Sequence, residues 1–189
     1  MSEARKILDD LMEEGSAATA HFHTWWALRN LALPDFYEAM NDYTYVDFFH
    51  ASNSGHYKLF FLALSKIFDR DSRVSGISHL KDALRQDGYH QLAVDLENKL
   101  APLQSLIVRV MNIRSRTIVH NDRTLSRDKI YEINGITPDE IRALINSTCE
   151  VLNTVALGLG LNNVISEGER HEKATLAMLE RLLDGKTKL

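Results

Sequence analysis

Three stretches of this 189-residue chain repeat apolar side chains at three- and four-residue intervals, at about 45–68, 101–120 and 138–158. A period near 3.6 puts such residues on one side of a helix. Strand-like alternation is nearly absent, and the chain holds only 3 Pro and 9 Gly. Stripes of this kind are buried by packing helix on helix, so the expected fold is an all-α bundle of about five to seven helices. The length suits a single domain spanning 1–189. Its core comes from the three strong runs, with an N-terminal helix at 3–31 and a C-terminal helix at 167–184 as additions.

Taken in order, Ser2 and Glu3 can cap the first helix, and Gly15-Ser16 offers a place for it to bend. Pro34 ends that run and can start a short helix from Asp35 to Met40. His21 and His23 lie two apart, which puts them on different helix faces and argues against a metal pair. Trp25 and Trp26 read as core or interface rather than as a base-stacking platform. Thr44 or Asp47 opens the next helix, which runs to about Phe68. Its stripe through Val46, His50, Asn53, Tyr57, Phe60, Leu64 and Ile67 sets His50 and Asn53 on an apolar face, where buried polar groups need partners. Asp47 and His50 have the i, i+3 spacing of two metal ligands on one helix. A di-metal bundle needs several such pairs and only this one occurs, so neither a metal nor a cofactor is expected.

Asp69-Arg70-Asp71-Ser72-Arg73 reads as a charged loop. Ser78 suits the N-cap of a helix over 79–85, Asp87-Gly88 stops it, and 89–98 is again helical. Pro102 fits the first turn of the following helix, whose Leu103, Leu106, Ile107, Val110, Met111 and Arg114 share one side. The segment from Arg123 to Asn134 reads as extended or irregular, with a turn at Asn134-Gly135. Thr137-Pro138-Asp139-Glu140 is a capping box with Pro at N1. Ser166 suits the cap of the last helix, with Glu167, Glu169, His171 and Glu172 in a solvated first turn favoured by the dipole.

Net charge is −4, so the surface as a whole does not advertise nucleic-acid binding. A nucleic-acid site would have to be a local basic patch. Cys149 is the one cysteine, which excludes an internal disulfide and suits a reducing, cytoplasmic setting. The start of the chain is amphipathic, unlike a signal peptide, and no run approaches the roughly 18 apolar residues that span a membrane.

Chemistry concentrates in Arg114-Ser-Arg-Thr-Ile-Val-His120, followed by Asn121 and Asp122. Arginine offers a planar fork of donors to phosphate, and histidine moves protons near neutral pH. Such a pair can cleave a phosphodiester without a metal. The plainer reading leaves Arg114 and Arg116 solvated and His120 at the negative pole of a helix. At 100° per residue, Arg116 and His120 lie about 40° apart and Arg114 and His120 about 120° apart. A continuous helix therefore favours Arg116 as the intrachain partner. Arg114 meets His120 only if the helix unwinds near Val119 or if two chains combine.

With Arg114, Ser115 and His120 late in a long helix, the pattern resembles the HEPN superfamily, and more narrowly its AbiU-like branch from abortive-infection and toxin–antitoxin loci. The aromatic helix ending Ile67-Phe68-Asp69-Arg70-Asp71, the short helix at Ser78 and the Thr137-Pro138 start extend the resemblance over about 40–155. It implies a metal-independent endoribonuclease, a toxin or phage-defence effector. His120 would act as general acid or base at the ribose 2′-OH and Arg114 would hold the scissile phosphate. Ser115, Arg116, Asn121 and Asp122 would support them. The implied partners are RNA, a second copy of the chain lining one cleft, and an antitoxin protein. The residue after the motif arginine is commonly Asn, Asp or His in active members and is Ser115 here. That keeps open a catalytically inactive interaction or nucleotide-binding module.

Overall fold

The computed structural model describes residues 2–119, 127–162 and 164–186. Among them are nine α-helices, two π-helical segments and a 3-10 turn, with no strand. The all-α expectation holds. The helices outnumber the five to seven expected because several are short pieces and one forms where irregular chain was expected. By contacts the chain divides into two compact units, Met1–Ala18 with Phe61–Ser166, and Thr19–Phe60 with Glu167–Leu189.

The first unit holds the start of α1 (Glu3–Trp26), the end of α3 (Val46–Ile67), and α4 (Ile77–Gln86) to α8 (Pro138–Gly158). Helix α8 buries Ile141, Leu144, Ile145, Val151, Leu152 and Val155, and α5 (His90–Leu100) and α6 (Gln104–Ile113) pack on it. Its start is the capping box read from sequence. The Glu140 N–H donates to Thr137 Oγ1 at 3.2 Å, and the Thr137 N–H donates to Glu140 Oε2 at 2.8 Å. The Arg109 guanidinium donates to Glu140 at 2.7 Å and also to the carbonyl of Gly135. Arg109, with the Thr137 N–H, holds the Glu140 carboxyl below the usual range.

Helix α1 continues through Gly15, where a Cβ would lie 2.6 Å from Ile165 Cδ1 and 3.4 Å from Leu152 Cδ1, so the glycine permits close approach. Three local expectations change. Helix α4 is capped by Gly76, not Ser78, and a Cβ at Gly76 would collide with the carbonyl of Asp69. The segment Arg127–Asn134 is a helix, α7, not extended chain. It gains a Lys129–Glu132 pair one turn apart at 3.0 Å, and Asn112 Nδ2 donates to Asn134 Oδ1 at 3.2 Å. The Asn112–Asn134 bond is a tertiary tie, and such ties can outweigh a weak local pattern. The last helix, α9 (Glu169–Lys186), begins beyond Ser166, whose neighbour Ile165 is held through both backbone polar groups by the Asn153 amide.

The second unit holds the end of α1, a π turn (Ala27–Leu31), α2 (Leu33–Met40), most of α3, and α9. Leu28, Ala32, Phe36, Met40, Phe49 and Leu179 form one buried cluster. Helix α3 buries Phe60, Leu64 and Ile67 as the stripe requires, but at its start Phe49 is buried and His50 faces out. Burying a phenyl ring gains more than burying an imidazole, which favours Phe49 at that position. Phe22, fully buried, packs edge-on to Phe60 with ring centres 5.5 Å apart, and Trp25 and Tyr57 join them. Trp25 thus packs half-buried at the side of this ring cluster.

Candidate active site

Helix α6 buries Leu106, Ile107, Val110 and Ile113 and ends where the motif begins. The next six residues, Arg114–Val119, wind as a π-helix. Most π segments are single turns, and they occur often at functional sites. The 100° arithmetic that set Arg116 against Arg114 assumed an α-helix running to His120, whereas this segment winds differently and His120 lies outside the described residues. The Thr117 hydroxyl follows the change of winding and donates to the carbonyl of Ile113 at 2.6 Å.

Within this segment the two arginines differ. Arg116 is exposed, whereas Arg114 and Ser115 are half-buried. Arg114 Nε is buried and has no hydrogen-bond partner among the described residues. A buried guanidinium donor in that position is one an anion can satisfy. His120, Asn121 and Asp122 lie outside the described residues, so the structure places half of the predicted site: Arg114, Ser115 and Arg116. Among the described residues no group of three or more His, Cys, Asp or Glu side chains is placed to hold a metal ion, and no helix is long and apolar enough to cross a membrane.

The second unit carries a set of polar contacts that the sequence reading missed. His23 is buried, and its Nδ1–H donates to Glu172 Oε1 at 2.6 Å. Its Nε2 is buried with no partner among the described residues, and Gly168 lies so close that a Cβ there would overlap the ring. His21 and His56 share a hydrogen bond between their Nδ1 atoms at 2.9 Å, one donating and the other accepting. Glu172 is therefore a partner and not part of a solvated first turn. The different-faces argument for His21 and His23 was the available signal, because each face meets a different helix.

Burial holds His21 below the ordinary histidine value. Burial, with His21 beside it, does the same to His56. His171 is lowered by burial, and then by Arg170, His23 and His21. A histidine kept neutral by the fold stabilises it above the unfolded value near pH 6.5 and loses that contribution as the pH falls below it. The melting temperature should therefore be highest near pH 7.5 and drop by several degrees, on the order of 2–4 °C per kcal/mol lost, on going to pH 5.5. His56→Gln, which cannot take up the proton, should flatten that profile. An acid-side slope equal to wild type would show that the pair is not its source.

The fold and site define an all-helical protein with an arginine-bearing π turn at the end of a core helix. The family model HEPN_AbiU2, described as AbiU2, matches residues 1–183. Matched over nearly its whole length, the chain belongs to the HEPN AbiU2 family. The match takes in α1 and most of α9 as well as the 40–155 region on which the resemblance rested. No curated protein and no solved structure matches the chain.

Proposed function

We propose that this HEPN-type protein is a metal-independent endoribonuclease that cleaves RNA with Arg114 and His120, acting as a cytoplasmic toxin or phage-defence effector. The observation that carries the reading is the half-buried Arg114, its Nε without a partner among the described residues, at the start of a π turn in a chain of this family. In this reading Arg114 binds the scissile phosphate and the charge that develops on it. His120 takes the proton from the ribose 2′-OH or delivers one to the leaving oxygen. The protein works as a homodimer whose two motifs line one cleft, which also doubles the local positive charge on an acidic chain. An antitoxin protein would hold it in check.

The test is purified wild type and His120→Ala, each incubated with RNA and with matched DNA in EDTA. Wild type should cut RNA alone and leave 2′,3′-cyclic phosphate ends, because DNA lacks the attacking hydroxyl. Equal cleavage by both proteins would assign the activity to a contaminant or to another site. Ser115, standing where active members carry Asn, Asp or His, favours one second reading: an inactive HEPN-like module that binds a partner or a nucleotide. RNA left intact by wild type, together with tight partner binding, would select it.

A further inference from the structure

The first unit contains a cleft of about 670 Å³ between the end of α3, the loop after it, α4, α5 and α6. That volume falls within the usual range of small-ligand sites, about 300–1,000 Å³. Its α6 wall is formed by Gln104, Ile107, Val108, Met111 and Asn112. These follow the 3-4 spacing of one helix face, and the next position on that face is Ser115. The π segment that carries Arg114 thus begins two residues, about 3 Å along the axis, beyond Asn112, the last α6 residue of the cleft.

The lining combines three kinds of group. Phe68, Ile77, Leu100, Ile107 and Met111 give apolar walls. Ser78, Gln104 and Asn112 are neutral and can both donate and accept hydrogen bonds. Asn112 spends one N–H on Asn134, which leaves its carbonyl oxygen as an acceptor. Of the charged residues, Glu97 is paired with Arg85 at 2.9 Å and Lys81 at 3.5 Å, and Asp69 accepts the N–H of Asp71. Arg70 is exposed and has no ion pair among the described residues. Apolar walls with neutral edge-reading groups suit a flat heteroaromatic ring, and one uncommitted cation at the rim suits the phosphate attached to it. A docked protein helix would want a continuous apolar floor instead.

We propose that this cleft receives one unpaired nucleobase of the RNA whose scissile phosphate sits at Arg114, with Gln104 and Asn112 reading the base edge and Arg70 meeting its phosphate. The inference takes RNA as the ligand from the reading above, and its own readout is base preference in binding, not cleavage.

The experiment uses the full chain carrying His120→Ala, so that RNA is not cut, and labelled octamers of adenosine, cytidine or uridine in anisotropy titrations. One octamer should bind roughly 10-fold more tightly than another, the size of one good edge contact. Gln104→Ala combined with Asn112→Ala should level that preference; because Asn112→Ala also removes the bond to Asn134, Gln104→Ala alone, at an exposed position, is the variant that should weaken the preference with the melting temperature unchanged. Val108→Trp, at a half-exposed position in the cleft, should weaken the preferred octamer by about 10-fold, and Arg70→Ala should weaken all three alike. Equal affinities, or a preference that survives both the double substitution and Val108→Trp, would overturn the inference. Failure of every octamer to bind overturns it too and leaves the cleft to a protein ligand. Base-selective binding by a protein whose wild type cuts nothing would sustain the cleft and remove the nuclease. Cleavage by wild type without base preference would do the reverse.

Discussion

Arg114→Ala should abolish most RNA cleavage, by a factor on the order of 10² to 10³, while Arg116→Ala should leave a substantial part of it. His120→Ala should cost on the order of 10² to 10⁴ through loss of proton transfer. The ordering of the two arginines is the informative part. Both are two positions apart on one short segment and both can attract RNA as charges. Only Arg114 follows directly on the buried face of α6, after Ile113, and only its Nε is buried without a partner among the described residues. A donor fixed by packing stabilises a transition state without being reorganised first, whereas an exposed arginine acts mainly on encounter and salt dependence. Single-turnover rates at saturating protein separate the two roles, because weakened encounter is then overcome by concentration. If Arg116→Ala proved the more damaging, the i, i+4 pairing of Arg116 with His120 would be the working one and the assignment to Arg114 would fall.

Elements whose determinants are local were legible in the sequence. The Thr137–Glu140 capping box needs only four adjacent residues, and it forms with both reciprocal hydrogen bonds. The stripe Leu106, Ile107, Val110 is buried as the 3-4 spacing requires. What was not legible depends on distant partners or on winding. No residue between Arg114 and Val119 marks a π-helix as against an α-helix, since the apolar period is compatible with either over so short a span. Helix α7 depends on Arg109 and Asn112, which reach the Asn134-Gly135 corner from α6. His23 finds Glu172 across 149 positions, and the sequence showed only that His21 and His23 could not share a partner. Of the site residues expected from sequence, Arg114, Ser115 and Arg116 lie within the described residues, while His120 lies outside them.

Phe22→Ala should be the most damaging single change to stability outside the motif. Its ring is fully buried, with ring centres 5.5 Å from Phe60, 5.8 Å from Trp25 and 5.3 Å from His23. Truncation removes a phenyl ring from water-free packing and leaves a cavity that Trp25, Phe60 and the His23 ring cannot refill. His23 is tied to Glu172 and confined by Gly168, and Phe60 is itself packed against Tyr57. A site unable to collapse sits at the upper end of the cost range, about 3–5 kcal/mol for Phe to Ala. Against a total stability of about 5–15 kcal/mol that is a large share, and for a chain of this length it corresponds to a fall of roughly 6–20 °C in melting temperature. Phe22→Leu keeps most of the volume and should cost about half as much or less. Chemical denaturation monitored by tryptophan emission is the natural measurement, because Trp25 lies in the same ring cluster. A midpoint for Phe22→Ala within error of wild type would mean that the cluster collapses freely, and the rigidity assigned to the His23–Glu172 contact would go with it.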